Sequence, residues 1–163
     1  MTSALYVVLE VGQASYILPG SDIRELETFT GATPVPASPD FVAGVVQVRG
    51  RVVPVIDLRR RFGLPPIEYS IDTRIVVTEI GDRSVGLVAD RARELLRVDE
   101  ASVKPPPRML VDQTHGFVKG IVETGKRIYL LADLERIIGE EQDHGERELQ
   151  LGDGEPRRRA LPR

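Results

Sequence analysis

The 163-residue sequence contains no cysteine and no tryptophan, and aromatic residues make up only 5% of it. Without cysteine there are no disulfides and no thiolate nucleophile, which fits a reducing compartment. Histidine is nearly absent too. His115 precedes Gly116 at a loop end and His144 lies in a charged C-terminal stretch, with no serine beside either in a nucleophile-like setting. Asp, Glu and His do not recur at zinc or calcium spacing, and glycines occur singly in turns rather than in a phosphate-cradling loop. No enzyme, metal or cofactor is expected from this inventory. No apolar run reaches the ~18 residues of a membrane-spanning helix. Met1-Thr2-Ser3-Ala4 lacks the basic segment and apolar core of a secretory signal, so a cytoplasmic protein without membrane insertion is expected. The net charge of −3 lacks the footprint of a nucleic-acid binder. Arg59-Arg60-Arg61 reads as a solvated helical cluster, and Arg157-Arg158-Arg159 belongs to the charged C-terminal segment.

What is present is a repeat. Phe41–Gly63 (FVAGVVQVRGRVVPVIDLRRRFG) aligns without a gap on Phe117–Gly139 (FVKGIVETGKRIYLLADLERIIG), a shift of 76, with nine identities in 23 positions. Chance gives roughly one or two. Upstream, Leu5–Leu26 aligns on Arg74–Leu95 at a shift of 69, pairing Val7 with Val76, Glu10 with Glu79, Ser15 with Ser84, and Arg24-Glu25-Leu26 with Arg93-Glu94-Leu95. The connectors agree in kind, with Pro34, Pro36 and Pro39 in one copy and Pro105-Pro106-Pro107 in the other. The chain is an internal duplication, with units over about residues 4–64 and 73–139.

Each unit reads as β. Valine- and isoleucine-rich stretches flank Gly12-Gln13, Arg49-Gly50, Gly81-Asp82 and Gly125-Lys126, the pattern of tight hairpins. Asp57 and Asp133 are placed to cap short helices that stop at Gly63 and Gly139. Five short strands per unit suit a small closed barrel, which removes exposed edges. The expected fold is all-β with short helices: two five-stranded barrels packed together, with exchange of strands between them left open. Residues 140–163 are charged and aperiodic, and are expected to be disordered.

The segment from Pro39 to Leu64, PDFVAGVVQVRGRVVPVIDLRRRFGL, resembles the central signature of CheW-like chemotaxis coupling domains. It has the Pro-x-Phe-Val-x-Gly lead, the strand ending in Arg49-Gly50, and the run Val53-Pro54-Val55-Ile56-Asp57-Leu58. Val85-Gly86-Leu87-Val88-Ala89-Asp90 and Ile23-Arg24-Glu25 resemble further family elements, so the likeness covers residues 4–139. Gln47-Val48 stands where Asn-Leu is usual, and Ala89 and Ala92 where valine is common.

The resemblance implies SH3-like barrels and a non-catalytic adaptor that couples chemoreceptors to a CheA-type histidine kinase. Its partners would be the kinase regulatory domain and the receptor's cytoplasmic signalling tip, with recruitment to receptor clusters. The alternative is an array scaffold of a motility or developmental system that does not itself activate the kinase. Among matching positions, Arg49, Gly50, Ile75 and Gly86 would bind the receptor, and Ile23, Glu25 and Gly44 the kinase. Arg49 stands apart because the second copy has Gly125 there, so the duplication alone does not require an arginine.

Overall fold

Valine-rich stretches with no polar alternation must be buried on both faces, and they dictate the architecture of the computed structural model, which describes residues 2–139. Tyr6, Val7, Val8 and Leu9 are consecutive and all buried. They lie in β1 (Ser3–Val11), which is followed by β2 (Ala14–Pro19), β3 (Ile23–Thr28), β4 (Val42–Val48), β5 (Arg51–Asp57) and helix α1 (Leu58–Arg61). The second unit repeats the series as β6 (Arg74–Ile80), β7 (Arg83–Ala89), β8 (Arg91–Asp99), β9 (Val118–Thr124) and β10 (Arg127–Ala132). It adds helix α2 (Arg108–Gln113) in its connector and closes on helix α3 over residues 134–139. The segment 140–163 lies outside the described residues.

The two five-stranded sheets have the orders β8-β1-β2-β10-β9 and β3-β6-β7-β5-β4, here called barrel 1 and barrel 2. Each takes strands from both units. The first unit's β1–β2 hairpin sits between β8 and β10, and the second unit's β6–β7 hairpin sits between β3 and β5. The exchange is sealed by parallel pairing of Tyr16-Ile17 with Leu130-Leu131 and of Val55–Asp57 with Gly86–Val88.

Three cores result, sorted by strand alternation. Tyr6, Val8, Ile17, Val122 and Tyr129 fill barrel 1. Val53, Val55, Ile75, Val77 and Val88, closed by Phe29, fill barrel 2. The residues between them in sequence, Val7, Leu9, Leu18, Ile56, Val76 and Leu87, point the other way and pack the barrels on each other, with Phe117, Ile137 and Ile138 added from the second unit's end. The expected two-barrel, SH3-like fold is present. Asp57 accepts the Arg59 amide at 3.0 Å and Asp133 the Arg136 amide at 3.2 Å, and Gly63 and Gly139 hold φ of 79° and 66° at the helix stops.

Candidate functional site

Arg49 and Gly50 form the two-residue turn between β4 and β5, with φ of 51° and 80°. Two positive φ values match the twist of the flanking strands, but an arginine in this region costs roughly 1–2 kcal/mol relative to glycine. In the other three hairpins the leading residue is glycine: Gly12, Gly81 and Gly125 hold φ of 63°, 58° and 60°. The strained arginine is put to use. Its Nε lies 2.6 Å from the Glu25 carboxylate on β3, so the turn and the edge strand of barrel 2 are bound by an ion pair.

That pair borders a cleft of about 430 Å³ at the end of barrel 2, lined by Arg24, Arg51, Glu79 and Ser84 over a floor of Val48, Val53 and Val77. Arg24 on β3 pairs with Glu79 on β6. Arg51 donates from its Nη2 to Ser84 Oγ at 2.9 Å. Arg49, assigned from the sequence to one partner, and Glu25, assigned to another, therefore occupy a single site. Ile23, at the start of β3, is partly buried against the inter-barrel core.

The remaining candidates are interior. Gly44 sits at an irregularity of β4 with φ 141°, where an added Cβ would lie 2.1 Å from the Thr33 carbonyl oxygen. The close approach lets Thr33 and Val45 exchange two backbone hydrogen bonds of 2.9 and 2.8 Å. Its requirement for glycine is thus structural. Ile75 and Gly86, expected from the resemblance to bind the receptor, lie on strands whose Val76 and Leu87 pack toward the other barrel. Ile75 is 3% exposed inside barrel 2, and a Cβ on Gly86 would meet its Cδ1 at 2.6 Å. The alternation of β6 and β7 directs both positions into the core of barrel 2.

Other features escaped sequence reasoning. Arg24 and Glu79 belong to identical repeat pairs, and opposite charges retained at both copies were the signal that could have found them. Arg59, taken as a solvated residue, chelates Asp90 with Nε–Oδ1 and Nη2–Oδ2 distances of 2.9 Å. This hydrogen bonding raises the Arg59 pKa further, and Asp90 also accepts the Gly12 amide at 2.8 Å. Arg61 places its guanidinium over Phe41 and Phe117, 4.0 and 4.9 Å from the ring centroids, and donates from Nε to the Ile137 carbonyl at 2.8 Å. It ties the end of α1 to α3. Beside it Tyr16, Phe62, Leu64 and Phe117 line a small hollow at the seam of the barrels.

Asp57 is buried and accepts the Tyr69 hydroxyl at 2.9 Å. Burial, then this bond, push the Tyr69 hydroxyl up to about 12. A carboxylate that caps a helix and holds a tyrosine proton is structural in both contacts. Among the described residues no group of three His, Asp or Glu is arranged to hold a metal, and no helix is long and apolar enough to cross a membrane.

Residues 5–142 match the family model described as a CheW-like domain. The chain is 31% identical over 134 residues to the probable chemotaxis protein CheW of Rhizobium etli, covering 82% of this chain and 86% of that one. It is 33% identical over 128 residues to the chemotaxis protein CheW of Helicobacter pylori, covering 78% and 77% respectively. The structure resembles that of the scaffolding protein TtCheW from Thermoanaerobacter tengcongensis with a TM-score of 0.77 at 31% identity, over 84% of this chain and 93% of that one.

Proposed function

The chain belongs to the CheW-like domain family, the family of chemotaxis scaffold and adaptor proteins, and on that footing we propose that it couples chemoreceptors to a CheA-type histidine kinase without catalysing a reaction of its own. The observation that carries the reading is the family match over residues 5–142, which spans both barrels and both copies of the repeat. It acts in the cytoplasm and is recruited to receptor clusters. The kinase regulatory domain docks on the end of barrel 2, where Arg49 of the Arg49-Gly50 turn meets Glu25, with Ile23 on the same strand β3 as Glu25. Because Arg49 and Glu25 are one ion pair, they serve one partner rather than two. The receptor's signalling tip takes the seam lined by Tyr16, Phe62 and Phe117.

Reconstitution tests this directly. Receptor-containing membranes, kinase and the full chain are combined, and kinase autophosphorylation is followed with and without receptor ligand. Ligand-dependent phosphorylation that requires this chain is expected. Assembly of all three without any response of the kinase would leave an array scaffold as the function instead. No association with either partner would overturn the proposal.

A further inference from the structure

The two barrels carry the same polar network at their ends, and one member differs in how it is satisfied. In barrel 1, Arg93 pairs with Glu10 at 3.7 Å, and Arg127 reaches both Glu94 at 3.5 Å and Ser15 Oγ at 3.4 Å. The repeat-related residues of barrel 2 are Arg24 with Glu79, and Arg51 with Glu25 and Ser84. There the arginine from the turn has taken the glutamate: Arg49 holds Glu25 at 2.6 Å, and Arg51 is left with the neutral Ser84 hydroxyl at 2.9 Å. Among the described residues Arg51 has no carboxylate partner. The barrel 2 cleft thus holds three guanidinium groups against two carboxylates, whereas the same positions of barrel 1 hold two against two.

We infer that Arg51 is the open cation of the barrel 2 cleft and receives a carboxylate from an acidic side chain of the docked kinase regulatory domain. This rests on the docking face proposed above and adds to it the chemistry of the partner. The cleft is open to an entering side chain, and its apolar floor of Val48, Val53 and Val77 excludes water from one side of the incoming pair. Partial desolvation of this kind is what lifts an ion pair above the small net worth of a fully solvated one. A basic or neutral partner group would meet Arg24, Arg49 and Arg51 together, so the surplus positive charge also selects against such partners.

The test is calorimetric titration of the kinase regulatory domain into the full chain and its Arg51 variants at low and raised salt, with thermal unfolding measured on each. R51E is expected to bind at least about tenfold more weakly, R51Q about three- to fivefold more weakly, and R51K close to the parent. The parent's affinity should fall with salt more steeply than that of R51Q. Arg51 lies at the start of β5 on the surface, so all variants should melt with the parent. Parent-like affinity and salt dependence of R51E would overturn the inference while leaving the docking face standing. Failure of the unsubstituted chain to bind the domain at all would overturn the docking face and this inference with it.

Discussion

Barrel 1 and barrel 2 are built from the same repeated strands, yet at the repeat-related positions of their ends both arginines of barrel 1 have carboxylate partners and Arg51 of barrel 2 does not. Their cores are alike in kind. At the ends, Gly125 of barrel 1 leads its turn with φ 60° and leaves Arg127 to satisfy Glu94. At the matching position barrel 2 has Arg49, which accepts a left-handed backbone and occupies Glu25. Arg49 in the Arg49-Gly50 turn, where the other copy has Gly125-Lys126, therefore costs conformational energy and leaves Arg51 without the carboxylate that Arg127 has. Strain kept against such a cost is a pointer to binding.

The strongest way to break the comparison is at Gly44. Its Cβ-less backbone approaches Thr33 so closely that Gly44→Ala would bring a carbon to 2.1 Å from a backbone oxygen at φ 141°. Barrel 2 should lose about 3 kcal/mol or more in urea unfolding. At Gly86 the obstacle is the flexible end of the Ile75 side chain, so Gly86→Ala should cost only about 1–2 kcal/mol. Equal costs for the two would mean that the β4 approach relaxes. Because Gly44 is held by backbone contact, loss of partner binding on its substitution would carry meaning only with the native fold retained.

Next in size is the link between the barrels. Arg61→Met removes a cation from between Phe41 and Phe117 and frees the carbonyl of Ile137 at 2.8 Å, while keeping much of the apolar stem. A loss of about 1–2 kcal/mol is expected in urea unfolding. The repeat partner of Arg61 is Ile137, 1% exposed, so the clamp exists on one side of the pseudo-symmetric pair alone. A change below a few tenths of a kcal/mol would show that apolar packing holds the barrels without it.

Much of this is legible in the duplication alone. Valine- and isoleucine-rich stretches around turn dipeptides located the hairpins, and identical pairs the capping aspartates and the helix stops, since each is a local requirement of turn or cap chemistry. Which face a strand residue takes was not readable for Ile75 and Gly86. When Ile75, Val76 and Val77 are all apolar, alternation carries no contrast, and only the packing of two cores on one strand decides. The joining of Arg49 to Glu25 was likewise invisible, because it depends on β3 and the β4–β5 turn meeting across the barrel end rather than along the chain. Arg59 and Arg61, read as a solvated run, find their partners at Asp90 and on α3, both distant in sequence.

A third comparison is between the capping aspartates. Asp57 carries the Tyr69 hydroxyl, whereas among the described residues Asp133 has only its helix amide. Tyr69 ionises near 10 when unfolded and at about 12 when folded. The folded state therefore keeps a proton that the unfolded state loses, and stability should fall as pH rises from 10 to 12 and be unaffected by this group below that window. Tyr69→Phe should flatten the fall. Absorbance titration should find one tyrosinate appearing close to 12 in the parent and missing in the variant; a parent in which every tyrosine ionises near 10 would count against the bond.

The smallest effect on stability, and the most informative on function, belongs to Arg49. Arg49→Gly relieves a left-handed arginine worth roughly 1–2 kcal/mol, but it adds about 0.5–1 kcal/mol of unfolded-chain entropy and gives up a solvent-facing ion pair worth about 0.2–1 kcal/mol. These nearly cancel, so unfolding should shift by no more than about 0.5 kcal/mol. Meanwhile Glu25, relieved of Arg49, becomes available to Arg51, which would give barrel 2 the internally satisfied network of barrel 1. Kinase-domain affinity should then drop at least as far as in R51Q, in a protein as stable as its parent. A variant that binds normally would show that the difference between the two barrel ends is an accident of the duplication rather than the basis of recognition.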